Sequence, residues 1–197
     1  NAVLRQHEEI DRLNEELAPF VIFKGIESEI HPDGSLDYRD AVLEKFDFVI
    51  VSVHAASRPN CAEMTERVCR ALALPYSTIL GHPSGRLLLQ REPFDLDMEQ
   101  ILACAAEHGA AVELNANPRR LDLDWSYHQT AKRLGIPVPV CPDAHAIDGI
   151  ADIRYGIASA RKGLLTAEDV LTCWPVVRVR DFFHRRKRGL ASARHKL

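Results

Sequence analysis

Apolar runs of strand length alternate with stretches of helical periodicity along almost the whole chain, and this alternation constrains the fold more than any single residue. Val3 to Leu17 carries apolar residues at helical spacing with charged residues between them, and Phe20 to Ile26 then reads as a buried strand. His31-Pro-Asp-Gly-Ser35 is a turn by composition. The pattern repeats with a strand at Phe48 to Val53 and a helix at Met64 to Leu72, opened by the capping-box pair Asn60 and Glu63. A strand at Ser77 to Leu80 and a helix at Met98 to His108 follow, the helix closed by Gly109. Next come a strand at Ala111 to Leu114, a helix at Trp125 to Leu134 closed by Gly135, and a strand at Val138 to Cys141. Three helical stretches complete the reading: about Ile150 to Lys162, one capped by Thr166 with Asp169 at its third position, and about Val179 to Arg188. Strands separated by helices pair in parallel, because a parallel neighbour needs a long crossover.

A length of 197 residues fits one domain with a substantial core. The formal charge of -3 argues against a surface basic throughout and leaves room for local basic patches. No apolar run approaches the roughly 18 residues of a membrane span, and the opening residues do not read as a secretory signal, so a soluble cytoplasmic protein is expected. The five cysteines are odd in number, widely spaced and free of C-x-x-C pairs, so reduced thiols are expected. The absence of an initiator Met, with an opening directly into a helical pattern, suggests part of a longer protein.

Metal-ligand residue types recur where the strand-like runs stop: Glu27 after Val21 to Ile26, His54 after Phe48 to Val53, His82 after Thr78 to Gly81, and Asp143 with His145 after Val138 to Pro142. In a parallel sheet or barrel the carboxyl ends of the strands share one rim, so these dispersed residues become neighbours; ligands at nearly every strand end favour a barrel over an open sheet. Imidazole and carboxylate together suit Zn, Mn or Fe, and a carboxylate can bridge two ions. The pattern points to a metal-dependent hydrolase. Glu27 ends a mainly apolar run, where a cation or an Arg partner would offset the cost of burying its charge.

Glu113-Leu-Asn-Ala-Asn-Pro118 is a further polar cluster at a strand end. Asn115 and Asn117 suit either holding a ligand carboxylate or forming turns. Arg86 and Arg91 in the loop after His82, and Arg119, are candidates for phosphate, with solvated side chains as the alternative. His7, His31, His108, His128, His184 and His195 read as surface residues, and Cys141 as a small apolar strand residue. The basic run Arg185-Arg-Lys-Arg188, with Arg194 and Lys196, reads as a solvated tail or a patch for nucleic-acid backbone.

Gly25-Ile-Glu27, Ser52-Val-His54, Gly81-His-Pro83 and Asp143-Ala-His145, in this order, resemble the polymerase and histidinol phosphatase (PHP) family. Within it the chain is most similar to the C-terminal domain of bacterial family X DNA polymerases. Leu36-Asp-Tyr38, Gly81 to Leu88, Glu113 to Asp122 and Gly163 to Val170 carry the narrower likeness. The resemblance implies an α/β fold, a distorted TIM-like (β/α)7 barrel, with up to three ions of Mn²⁺ or Zn²⁺. It implies that Glu27 bridges two ions, with Asp143 on one, His54 and His82 on the second, and His145 on the third. The family's H-x-H motif and first strands have no counterpart here. Residues 1 to 197 are therefore expected to be the C-terminal portion of a PHP domain lacking its first one or two βα units, with a polymerase part upstream.

The activity implied is a 3'-5' exonuclease on DNA, set in DNA repair, with single-stranded DNA or 3' ends as partner. A phosphomonoesterase similar to histidinol phosphatase is the alternative from the same metal chemistry. A non-catalytic module that docks on a polymerase or on DNA is the alternative from another class.

Overall fold

The computed structural model describes residues 2–54 and 59–188. In chain order these form α1 (Ala2–Glu16), β1 (Gly25–Glu29), α2 (Asp40–Leu43), β2 (Phe48–Ser52), α3 (Cys61–Ala73), β3 (Ser77–Leu80) and α4 (Met98–His108). Then follow β4 (Ala111–Val112), β5 (Leu114–Asn115), α5 (His128–Leu134), β6 (Val140–Cys141), α6 (Ile153–Lys162) and α7 (Val176–Lys187), with 3-10 turns at Trp125–Tyr127, Ile147–Asp152 and Leu171–Cys173. No helix among the described residues is long and apolar enough to cross a membrane.

The sheet is parallel and its strands run in sequence order: β1 to β4 form one sheet and β5 pairs with β6. β4 and β5 are one extended run that changes partner at Glu113, whose N–H donates to the Leu80 carbonyl while Leu114 N–H donates to Pro139. Beyond β6 the arc continues through Val138, which donates to the Asp169 carbonyl and accepts from Leu171 N–H.

Both faces of the sheet are covered, as a parallel sheet requires. Val49 and Val51 of β2 belong to the larger core with Met64, Val68 and Leu72 of α3 and Ile101 and Leu102 of α4. Phe48 and Ile50, alternating with them, join a second cluster built on Val179, Phe182 and Phe183 of α7. The termini of α4 match the sequence reading because both have caps: Asp97 accepts from Gln100 N–H, and Gly109 takes the left-handed conformation at φ 68°.

Several expectations are corrected. The first strand begins at Gly25 rather than Phe20, because the Asn14 side chain bonds both Ile22 N–H (2.7 Å) and its carbonyl (3.0 Å), holding this segment to α1. Glu27 is consequently a mid-strand residue opposite Ile50. Thr166 and Asp169 make their capping contacts, but Val138 takes the Asp169 carbonyl and draws the segment to the sheet edge, so no helix follows.

Cys69 on α3 and Cys104 on α4 are joined as a disulfide, contrary to the expected reduced thiols; Cys61, Cys141 and Cys173 are free. His7 and His128 are buried rather than on the surface: His7 meets the Phe46 ring edge-on at 4.9 Å, and His128 fills the space against Gly163. In the basic run, Arg186 donates to the Leu72, Leu74 and Ser77 carbonyls and Lys187 to those of Glu44 and Phe46, so these two cations cap loops instead of facing solvent. Arg194, His195 and Lys196 lie outside the described residues.

Candidate metal centre

The parallel register places the carboxyl ends of β1, β2 and β3 side by side, and three candidate ligands meet there. Glu27 Oε1 accepts from Ser52 Oγ at 2.7 Å and lies 3.1 Å from His82 Nε2 and 3.4 Å from His54 Nε2. One ligand atom from each of Glu27, His54 and His82 falls within 4.8 Å of the others. The two imidazoles stand at 73° with centroids 5.0 Å apart.

The surroundings fit a divalent cation. His54 Nδ1 is 2.9 Å from Glu29 Oε2, and the same carboxylate accepts His54 N–H, which leaves Nε2 turned toward Glu27. A carboxylate behind an imidazole orients and strengthens it as a ligand. The hydrogen bond to His82 holds the Glu27 carboxyl down at about 2 against the effect of burial, with Ser52 helping. Burial is the largest influence on His82 and works against its charged form, yet the bond to Glu27 together with the charges of Glu113 and Glu27 outweighs it and the pKa is raised. Glu27 and His54 remain open to solvent, so a substrate can reach the group they would hold.

Asp143 and His145, the other two sequence candidates, are not in this set. Asp143, at φ 51°, accepts from Asn115 Nδ2 at 3.1 Å and lies 3.5 Å from Arg120 Nε. His145 is 87% exposed, with Nδ1 2.9 Å from the Asp143 carbonyl. Glu113 links the two groups, since its carboxylate accepts both His82 N–H (2.6 Å) and Asn115 Nδ2 (3.3 Å). Burial pushes Glu113 up to about 7, and it raises the Cys141 thiol, packed against Glu113, well above its ordinary range.

The candidate arginines have partners within the loops. Arg86 binds Asp124 at 2.7 Å and the carbonyls of Arg120 and Leu121, and Arg91 donates twice to the Gly85 carbonyl. Both brace loops. Arg119 is exposed, and its N–H donates to Asn117 Oδ1 in a turn. Arg120, its neighbour, points inward to Asp143 with Nη1 buried and without a partner.

Sequence reasoning missed Ser52, Glu29 and Arg120. Glu29 shares a strand face with Glu27 at two-residue spacing, a signal that appears only once β1 is placed at Gly25–Glu29.

No family profile matches the chain. Over 181 residues it is 38% identical to a Bacillus subtilis (strain 168) protein named DNA polymerase/3'-5' exonuclease PolX, an alignment covering 92% of this chain. The chain belongs to the PHP family. It spans 32% of the length of that relative. Other relatives are named as probable phosphatases. One from Thermoanaerobacter sp. (strain X514) is 25% identical over 190 residues, covering 91% of this chain and 75% of that protein. One from Vibrio atlanticus (strain LGP32) is 33% identical over 134 residues, covering 63% of this chain and 52% of that protein. Phosphoester hydrolysis is the chemistry common to these names, and a Glu/His/His set suits it.

Proposed function

We propose that this PHP chain is a metal-dependent phosphodiesterase, a 3'-5' exonuclease on DNA within a larger protein whose polymerase part lies upstream. The observation that carries the reading is the convergence of Glu27 on β1 with His54 and His82 from the loops that follow β2 and β3. The likeness to a relative named as a polymerase and exonuclease supports DNA as substrate. When bound there, Mn²⁺ or Zn²⁺ supplies Lewis acidity at the phosphoryl oxygens and makes water a better nucleophile at neutral pH.

The chain's own residues do the rest. Glu27, kept ionised, and the two imidazoles supply the ligands; Ser52 fixes the Glu27 carboxylate, and Glu29 fixes the His54 ring. Asp143 and His145 are the ligands of further ions in this reading. Arg120, beside Asp143, brings a guanidinium to this rim, and Arg119 stands exposed for the flanking backbone. The sequential parallel strand order supports an arc of the distorted (β/α)7 barrel, with its first one or two βα units outside these 197 residues. The exposed stripe Ile147, Ile150, Ile153 and Ile157 supports the same reading, as a face such units would cover.

A phosphomonoesterase is the second reading, favoured by the relatives named as phosphatases, of which the Thermoanaerobacter protein is matched over most of its length. The test compares Mn²⁺-dependent release of nucleotides from the 3' end of labelled single-stranded DNA with hydrolysis of p-nitrophenyl phosphate, using the parent protein. Processive loss of 3' nucleotides with little monoester hydrolysis is expected. Efficient monoester turnover with intact DNA would overturn the exonuclease reading in favour of the second.

A further inference from the structure

The loop that delivers His82 is held by two buried carboxylates. After β3 the chain turns through His82 at φ 24°, a left-handed conformation rare for a residue with a side chain, and through Gly85 at φ 63°. The loop amides point inward. His82 N–H donates to Glu113 Oε2 at 2.6 Å, while Ser84 and Gly85 N–H donate to Asp122 Oδ2 at 2.9 and 3.1 Å. Successive inward amides of this kind form a concavity that takes an anion. Here the anions are the protein's own.

Both carboxylates sit on one rigid unit. Glu113 lies where the strand passes from β4 to β5, and Asp122 exchanges backbone hydrogen bonds with Asn115 at 2.6 and 3.3 Å. Glu113 is 4% exposed and Asp122 is fully buried, with Asp122 Oδ1 left unpartnered. Burying two carboxylates is costly, and an ordinary turn does not require it. The strand before the loop is also closely packed: a Cβ at Gly81 would meet Ile50 Cγ2 at 2.7 Å.

We propose that Glu113 and Asp122 are positioning residues that fix the strained His82 loop so that Nε2 meets Glu27, which sets the affinity of the centre for a metal ion. This rests on the metal-centre reading above. Neither carboxylate is a ligand in this account; both act through the His82 backbone.

The test is titration of the full chain with Co²⁺, followed by visible absorption, together with urea denaturation of each variant. Glu113→Ala and Asp122→Ala are expected to weaken Co²⁺ binding roughly 10–100-fold, as loss of groups that orient a ligand does. Glu113→Gln and Asp122→Asn keep an oxygen acceptor without the charge, so they should fold and fall between the alanine variants and wild type. Any of these folded variants binding Co²⁺ as tightly as wild type, while His82→Ala loses it, would overturn the positioning role alone. Unchanged Co²⁺ binding in His82→Ala would overturn the metal-centre reading with it.

Discussion

Replacing Arg186 by Met separates two meanings of the basic run at the end of α7. If the run were solvated, Arg186→Met would be as mild as the same change at the exposed Arg185. The structure instead has Arg186 3% exposed, with Nε 2.9 Å from the Ser77 carbonyl and Nη2 on the carbonyls of Leu72 and Leu74. Burial lowers its pKa to about 10, so the guanidinium stays charged at neutral pH. Hydrogen bonds from a cation contribute about 1.5–3 kcal/mol each, and the cost of burying the charge offsets part of that. Met fills the aliphatic space but withdraws the guanidinium from all three carbonyls at the entrance to β3, of which that of Leu74 keeps Ser77 N–H. The expected loss is about 3–5 kcal/mol, a large fraction of the total for a domain of this size. Urea denaturation with an unchanged slope measures it as a fall in midpoint, and Arg185→Met, expected within about 0.5 kcal/mol of wild type, is the control. Equal midpoints for the two variants would refute the capping account.

Gly85→Ala should destabilise by about 2–4 kcal/mol, combining a left-handed penalty with overpacking, because its Cβ would lie 2.1 Å from the Phe94 ring at φ 63°; chemical denaturation reads it. His128 is buried with its pKa held below 6.5 by desolvation, so the unfolded chain binds the proton first as pH falls. Its contribution is complete above pH 6.5 and is lost as pH drops from there toward the folded-state value. His128→Leu should flatten the stability profile in that window by up to about 1.4 kcal/mol per pH unit, measured by denaturation at successive pH values.

The alternation of patterns was enough to find most elements because the caps and periodicities are local: Asn60 begins α3 and Gly109 ends α4 as read. His54 and His82 were legible for the same reason, each following an apolar run that is a strand. What depended on distant partners was not legible. Phe20 to Phe23 are apolar enough for a strand, but Asn14 holds that segment to α1, which hid Glu29 as a companion of Glu27. Arg86 looked free on the rim and is tied to Asp124, whereas Arg120 turns inward beside Asp143. The pairing of Cys69 with Cys104 depends on how α3 meets α4, across 35 residues of sequence. Glu113 read as one polar residue among several, and only the partner switch between β4 and β5 reveals it under the His82 loop.

The most direct test of the metal-dependent phosphoesterase is the Mn²⁺-dependent 3' nuclease rate of the parent protein set against its His82→Ala variant, with folding checked by circular dichroism. The account predicts a folded variant whose metal-dependent cleavage is lost. Full nuclease rate in folded His82→Ala would contradict it.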